Sequence, residues 1–413
     1  MSVRSKKLGP LPVLGVALFS ILSGCAVGSL NWSPHASVAP GPGSWATGAD
    51  RAETDGPFLR VLLKVGGRSL KISAMGGLRL CTADGAVLAD IPSAGHAHLG
   101  AQSGRLVVNG EVLDEAQAQI LPLTSEDEVQ VSGRSYRGRL LLQAGGSTLA
   151  LVNLVGLEDY LRGVLPSEVS PRGPAEALKA QAVAARSFAL VQMRNSAAKA
   201  WDLDNSADSQ VYGARDVETP ATDAAIRSTR GEILVWHGAV ASTFFHSNSG
   251  GFTADAAEVW KGANSPSYLL GVLDTWSENQ RHYTWSLMMP AQEAEIRLQT
   301  AKLWSGHLAD IIPGGRSDSE RWTKIELLDG LGRRVTISAN DFRRALGADR
   351  LRSTRFHVEL QGKVFVFQGQ GWGHGVGLAQ EGAFAMAHSG KDYRSILSFY
   401  YPGTDLATLK EVP

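Results

Sequence analysis

The segment PAEALKAQAVAARSFAL, Pro174 to Leu190, restricts the fold more than any other stretch of the chain. It reads as an alanine-rich helix in which Leu178, Ala182, Ala185 and Ala189 recur on one face. Alanines on that face permit close approach of another backbone or a sheet. Pro174 suits the first helical position. Lys179 and Arg186 are seven apart and share a face two turns long. Just ahead, Leu157, Tyr160, Leu161 and Val164 fall at helical spacing, giving a short helix expected to end near Gly163 to Pro166. Glu168 then sits in the connection between two helices, where a side chain can point into a cleft.

The flanking sequence is of a different kind. From Phe58, the runs FLRVLLKV, LKISAM, LRLCTA, AVLADI, RLVVNGEVL and VQVSG alternate or are apolar, separated by turns containing glycine. They predict a β-rich part over 58–150 with little helix before residue 155. Strands return in GEILVWHG and AVASTFFHSNSGG, and KVFVFQG is the last strand before a helix from about Gln380 to Ser389. The segment 285–350 is less regular and reads as an insertion or lid, with one amphipathic helix over Ala291 to Trp304. The expected class is α+β: the β-rich part, a mixed core over 151–284 and 351–413, and a glycan-sized cleft.

The first residues carry a targeting signal. Arg4, Lys6 and Lys7 precede an apolar stretch from Leu8 to Leu22 that Pro10 and Pro12 make unfit for a stable span. It ends in Leu22-Ser23-Gly24-Cys25, the pattern a bacterial lipoprotein peptidase reads, so 1–24 is expected to be removed and Cys25 lipidated. Residues 25–57, rich in Pro, Gly, Ser, Ala and Thr, form a flexible tether. The protein is expected to be exported and to meet a membrane through its lipid only, facing the cell wall. Lipidation of Cys25 leaves Cys81 unpaired, a small core residue, with no intramolecular disulfide. Without the signal the chain has 37 basic against 40 acidic residues, no field to draw it to nucleic acid.

Three motifs carry chemistry. Glu168 offers a single carboxylic acid. Glycosidic cleavage needs an acid to protonate the leaving oxygen, and one Glu suffices where the sugar's own 6-hydroxyl attacks. The same Glu also fits an acid placed near a helix N-terminus by the macrodipole. FHSNSGG aims His246, Ser247 and Ser249 from a strand-to-turn bend, or is simply a polar turn. No G-x-S-x-G accompanies it, so a Ser–His hydrolase is disfavoured. In GWGHGVGLAQEG, Gly371, Gly373, Gly375 and Gly377 alternate, which brings Trp372 and His374 against a ligand or packs them into a core. The spacing fits neither a dinucleotide fingerprint nor a Walker A loop. No H-E-x-x-H occurs among the scattered histidines, and neither a metal nor a cofactor is expected.

The segments LEDYLRGVLPSEV, EALKAQAVAARSFAL, DSQVYGA, TRGEILVWHG, FFHSNSGGFT, EVWKG, GWGHGVGLAQEGAFAMA and ILSFYYPGT run from about residue 150 to 405 in the order of the SpoIID/LytB family of bacterial cell-wall proteins, which this chain resembles. The resemblance implies peptidoglycan. The SpoIID branch comprises lytic transglycosylases acting on glycan strands stripped of stem peptides, with Glu168 as the matching acid. It implies that Lys179, Arg186, Gln210, Tyr212, His246 and His374 orient the sugar or tune the acid, and that Ser247, Ser249, Trp372 and Gln380 complete the sugar-binding set. LytB-type members are instead enhancers of cell-wall amidases, so a non-catalytic glycan-binding partner of an amidase is the alternative. Some members hold zinc through cysteines before the QVY motif; Leu203 and Ser209 stand there in this chain, which withdraws that metal.

Overall fold

The computed structural model describes residues 56–411, apart from 66–69, 94, 125–127, 206–208 and 261–264. The expected signal segment, the lipidated Cys25, nearly all of the tether, and Lys261 and Gly262 of EVWKG lie outside the described residues.

The class is mixed α+β with a β-rich N-terminal region. Among the described residues, one sheet takes the order Leu203–Asp204, Phe58–Val65, Thr148–Gly156, Arg139–Gly145, Gln117–Pro122, Leu78–Cys81 and Val87–Ile91. A second runs Arg134–Ser135, Gln130–Val131, Leu70–Ser73, His96–Gln102, Arg105–Val108 and Glu111–Val112. Period-two alternation decides how they meet. Leu80, Ile120, Leu142 and Leu151 from the first sheet and Ile72, Leu99 and Leu106 from the second close one apolar core. Cys81 is buried at its edge.

The long strands Phe58–Val65 and Thr148–Gly156 continue beyond that core. Leu59, Val61 and Val155 join a different apolar cluster with the first two helices, α1 (Leu157–Glu168) and α2 (Ala175–Asn195). The predicted stripe Leu178, Ala182, Ala185 and Ala189 lies in this cluster. The opposite face of α2 is buried too: Ala180, Val183 and Ala184 pack in a further cluster with Leu234, Val376, Leu378 and Tyr400. A helix apolar on all sides belongs inside the protein, and alanine is what lets two layers close on it.

α3 (Pro220–Ser228) is capped by the Thr219 hydroxyl, which accepts from the Thr222 N–H. After the single-turn α4 (Ala256–Val259), residues from about 285 build a core of their own. The sheet of Thr284–Pro290, Val364–Gln370 and Phe356–Gln361 packs with Asp310–Arg316, Trp322–Leu328 and Arg334–Ser338. With α5 (Ala291–Thr300) and α6 (Ala339–Leu346), they enclose Trp285, Met289, Leu298, Ile325, Phe342, Phe365 and Phe367. α7 (Gln380–His388) and α8 (Tyr393–Tyr400) lead to the strand Asp405–Thr408, which pairs with Glu232–Trp236.

Three local expectations are corrected. The segment from 285 is regular rather than irregular, and its sheet runs on to Gln370. The helix from Ala291 stops at Thr300 instead of Trp304, because Lys302 adopts a positive φ and the chain turns to bury Trp304. α1 continues through Pro166 to Glu168. A proline in the last turn sacrifices one backbone bond, and there the Ser167 hydroxyl donates to the Gly163 carbonyl at 2.8 Å.

Candidate active site

The apolar side of α1, formed by Leu157, Tyr160, Leu161, Val164 and Leu165, fixes the helix against the core. Its phase delivers Glu168 at the C-terminal end. There the negative end of the helix dipole disfavours a carboxylate, the reverse of the helix-start environment the sequence also allowed. The residue retains part of its surface, but protein surrounds the carboxyl group, and burial raises its pKa to about 7. One hydrogen bond opposes that rise, from the Val211 N–H to Oε1 at 2.6 Å.

The 210–212 segment that brings this N–H is tightly held. The Tyr160 hydroxyl donates to Gln210 Oε1 at 3.0 Å, and Gln210 Nε2 donates to the Ala185 carbonyl of α2 at 3.3 Å. The Tyr212 hydroxyl donates to Asn153 Oδ1 at 2.7 Å, and its ring lies 5.0 Å from that of Tyr160. At Gly163 an added Cβ would come within 2.7 Å of the Tyr212 ring, so α1 needs glycine there. Gln210 and Tyr212 are therefore corrected from sugar contacts to buried supports of the acid's one donor. Gln380 plays a similar part: its Nε2 donates to the Glu168 backbone carbonyl at 3.1 Å.

Arg186 is also corrected. It is fully buried, forks onto both oxygens of Glu158 at 2.8 and 2.9 Å, and donates to the Glu232 carbonyl. Glu158 lies ten residues before Glu168, about 15 Å along α1 at helical rise. Arg186 thus holds the far end of the helix, not a sugar. Lys179 pairs with Glu176 at 2.6 Å and lies 5.8 Å from the centre of the Tyr393 ring, on the first turns of α2.

The FHSNSGG bend meets the glycine-rich stretch through the parallel pair Phe245–His246 and Leu378–Ala379 and a bridge between Asn248 and Trp372. Asn248 donates to Glu381 Oε2 at 2.7 Å, and Glu381 Oε1 lies 2.7 Å from His282 Nδ1. Ser247 Oγ sits 3.5 Å from the same His282 nitrogen. A Ser–His–carboxylate relay needs the two ring nitrogens for different partners, so this group is not one. Trp372 lies between the Arg352 guanidinium, 4.4 Å from its centre, and the edge of His282 at 4.6 Å. Gln380 and Glu381, adjacent at the start of α7, join this group to the end of α1.

His246, His374 and Ser249 lie deeper. The Ser249 hydroxyl is fully buried and accepts from the Gly251 N–H, so it shapes the turn and does not face a ligand. His246 Nδ1 is 3.2 Å from the Val376 carbonyl, and burial drives its pKa well down. His374 Nδ1 accepts from the Val376 N–H at 3.0 Å; burial, then the nearby Arg343 and Arg321, lower its pKa to about 3. Both imidazoles are neutral at pH 7. Gly371, Gly373, Gly375 and Gly377 all take positive φ, which only glycine adopts freely. The sequence signalled Glu381 and Asn248 only as members of longer motifs. Nothing in it marked His282 or Arg321, whose partners are remote in the chain.

The chain matches the family described as stage II sporulation protein over residues 145–236. It is 30% identical to stage II sporulation protein D of Bacillus subtilis over 271 residues, 62% of this chain and 76% of that protein. The chain belongs to the stage II sporulation protein D family. Within it, the matched segment holds Glu168, Gln210 and Tyr212, the acid with its support. An uncharacterized protein of Brachyspira hyodysenteriae is 34% identical over 289 residues, 70% of this chain and 76% of its own. The amidase enhancer of Bacillus subtilis is 27% identical over 295 residues, 60% of this chain but only 40% of that protein. Residues 267–377 match a domain family of unknown function; they include His282, Trp372 and His374 of this stage II sporulation protein D relative.

Proposed function

We propose that this protein acts on the bacterial cell wall as a lytic transglycosylase, cutting peptide-free glycan strands between N-acetylmuramic acid and N-acetylglucosamine. The observation that carries the reading is Glu168: a single carboxylic acid, largely desolvated, with its pKa raised to about 7. Such a group is protonated often enough to donate and ionised often enough to accept near neutral pH. With Oε1 held by Val211, the proton on Oε2 passes to the glycosidic oxygen as the bond to the anomeric carbon breaks. The carboxylate then takes the proton of the 6-hydroxyl as that oxygen closes on the anomeric carbon, leaving a 1,6-anhydro end. Membership of the family supports the cell-wall role. The neutral His246 and His374 supply no competing acid, and the Glu381 oxygens are already engaged by Asn248 and His282.

The location proposed is the outer face of a bacterial membrane, with lipid on Cys25 and the folded part reaching the wall. Loss of acyl labelling in Cys25→Ala checks it.

The second reading is a glycan-binding enhancer of a wall amidase, favoured by the likeness to a protein of that name. The full-length protein is incubated with peptide-free glycan strands, and the products are read by mass spectrometry beside Glu168→Gln. Anhydro-ended fragments from the parent and none from the variant support the transglycosylase. Hydrated reducing ends overturn it in favour of hydrolysis. Intact strands that remain bound, together with faster cleavage by an added wall amidase, overturn it in favour of the enhancer.

A further inference from the structure

A cavity of about 20 Å³ lies between α4, α6, the glycine-rich stretch and the strand from Trp322, away from the groups that hold Glu168. Its walls include Arg321, Arg343, His374, Ser319, Thr323 and Glu258. Room of this size holds one or two water-sized particles and excludes a sugar ring.

The charge at this cavity is unbalanced. Arg321 is 3% exposed. Its Nη2 donates to the Ser249 carbonyl at 2.9 Å and its Nη1 to the Gly373 carbonyl at 3.3 Å, while its buried Nε has no partner. Arg343 is likewise met by carbonyls alone, those of Leu351, Arg352 and Ala348. Neither arginine has an ion pair with any carboxylate among the described residues. Burial lowers their pKa values only to about 9 and about 10, so both remain cations at pH 7. Two desolvated cations side by side repel unless something negative sits between them.

The cavity also offers hydroxyl donors. Ser317 and Ser319 share one hydrogen bond at 2.9 Å, which leaves a second hydroxyl proton free to turn inward. The glycine-rich stretch is shaped around the same guanidinium: a Cβ at Gly375 would lie 2.5 Å from Arg321 Nε and 2.7 Å from its Cζ. That packing gives Gly375 a structural task distinct from the sugar-facing one its motif suggested.

We propose that this cavity is an anion site that takes one monovalent ion of about chloride size, held by the free Nε–H of Arg321 and the adjacent hydroxyls. The ion completes the packing of the 317–354 segment against the turn at Ser249 and the glycine-rich stretch. Glu258 is the rival counter-charge, as the one carboxylate on the cavity wall.

The test melts the full-length protein in chloride–gluconate and bromide–gluconate mixtures at constant ionic strength. The melting temperature rises by about 2 °C for each tenfold increase in chloride above its Kd. Bromide acts alike and gluconate, too large to enter, does not. Arg321→Gln abolishes the dependence and Glu258→Gln preserves it. A melting temperature that is flat across all three anions overturns the proposal in favour of water in the cavity. A dependence that emerges only in Glu258→Gln overturns it in favour of Glu258 as the resident counter-ion. Should Arg321→Gln fail to fold, crystals of the parent soaked in bromide decide. An anomalous peak within hydrogen-bonding reach of Arg321 Nε supports the site, and peaks confined to the surface refute it.

Discussion

The Val211 N–H donates to Glu168 Oε1 at 2.6 Å, whereas the Val211 side chain is 39% exposed. Backbone and side chain at this position therefore do separable things. Val211→Pro deletes the one bond that favours the carboxylate, and Val211→Ala keeps it. A hydrogen bond to a charged group shifts a pKa by about 1 to 2 units. The alkaline limb of the pH profile of kcat/KM for glycan cleavage is expected to move up by that amount in the proline variant alone. Equal profiles in both variants would show that Glu168 is not the group being titrated.

Glu168 also makes stability depend on pH. Its pKa is about 7 in the folded protein against an ordinary 4.5, so the folded state keeps a proton that the unfolded chain has released. Stability is therefore lost as pH rises from about 4.5 to 7 and is level beyond that, by up to about 3 kcal/mol. Glu168→Gln removes the ionisation while retaining an acceptor for Val211. Urea unfolding is expected to find the variant more stable than the parent at pH 8 and little different near pH 4.5. A constant difference across this range would contradict the raised pKa.

Arg186→Ala leaves Glu158 and the Glu232 carbonyl without their buried donor. Breaking one side of such a pair costs about 3–5 kcal/mol. The expected result is a large fall in the urea midpoint, with kcat for glycan cleavage unchanged where the variant is still folded. A fall in kcat at full stability would return Arg186 to the sugar-binding set.

Gly375→Ala introduces a Cβ into Arg321 at a φ of +92°. The backbone strain alone costs about 1–3 kcal/mol, and Arg321 cannot retreat because its guanidinium is enclosed. Thermal unfolding should show a loss of at least that size. Gly390→Ala, also at positive φ but with open space around it, should show the backbone cost alone.

Much of the fold was legible because burial writes itself into short periods. The alternation from Phe58 and the stripe Leu178, Ala182, Ala185 and Ala189 each depend on neighbours two to four residues away. The acid was legible for another reason, as part of a recognisable run of motifs. What surrounds it was not. Gln210 reads as a polar residue fit for a sugar, and only the distant Tyr160 and Ala185 reveal that both ends of its amide are already bonded. Arg186 looked like a ligand because a cation on an alanine helix is conspicuous, while Glu158, its partner, lies 28 positions away. Pro166 suggested an earlier helix end, because its effect depends on how near the last turn it falls. His282 and Arg321 stand in no motif at all; their roles come from contacts across 99 and 72 residues.

α2 is enclosed on both sides, and through Ala185 it carries the amide of Gln210. Its backbone hydrogens can meet solvent only when two apolar clusters part together, so they should exchange with deuterium at the slowest rate in the molecule. The setting of the acid would then persist through every smaller fluctuation, and a glycan strand arriving at the surface would find the proton donor already in place.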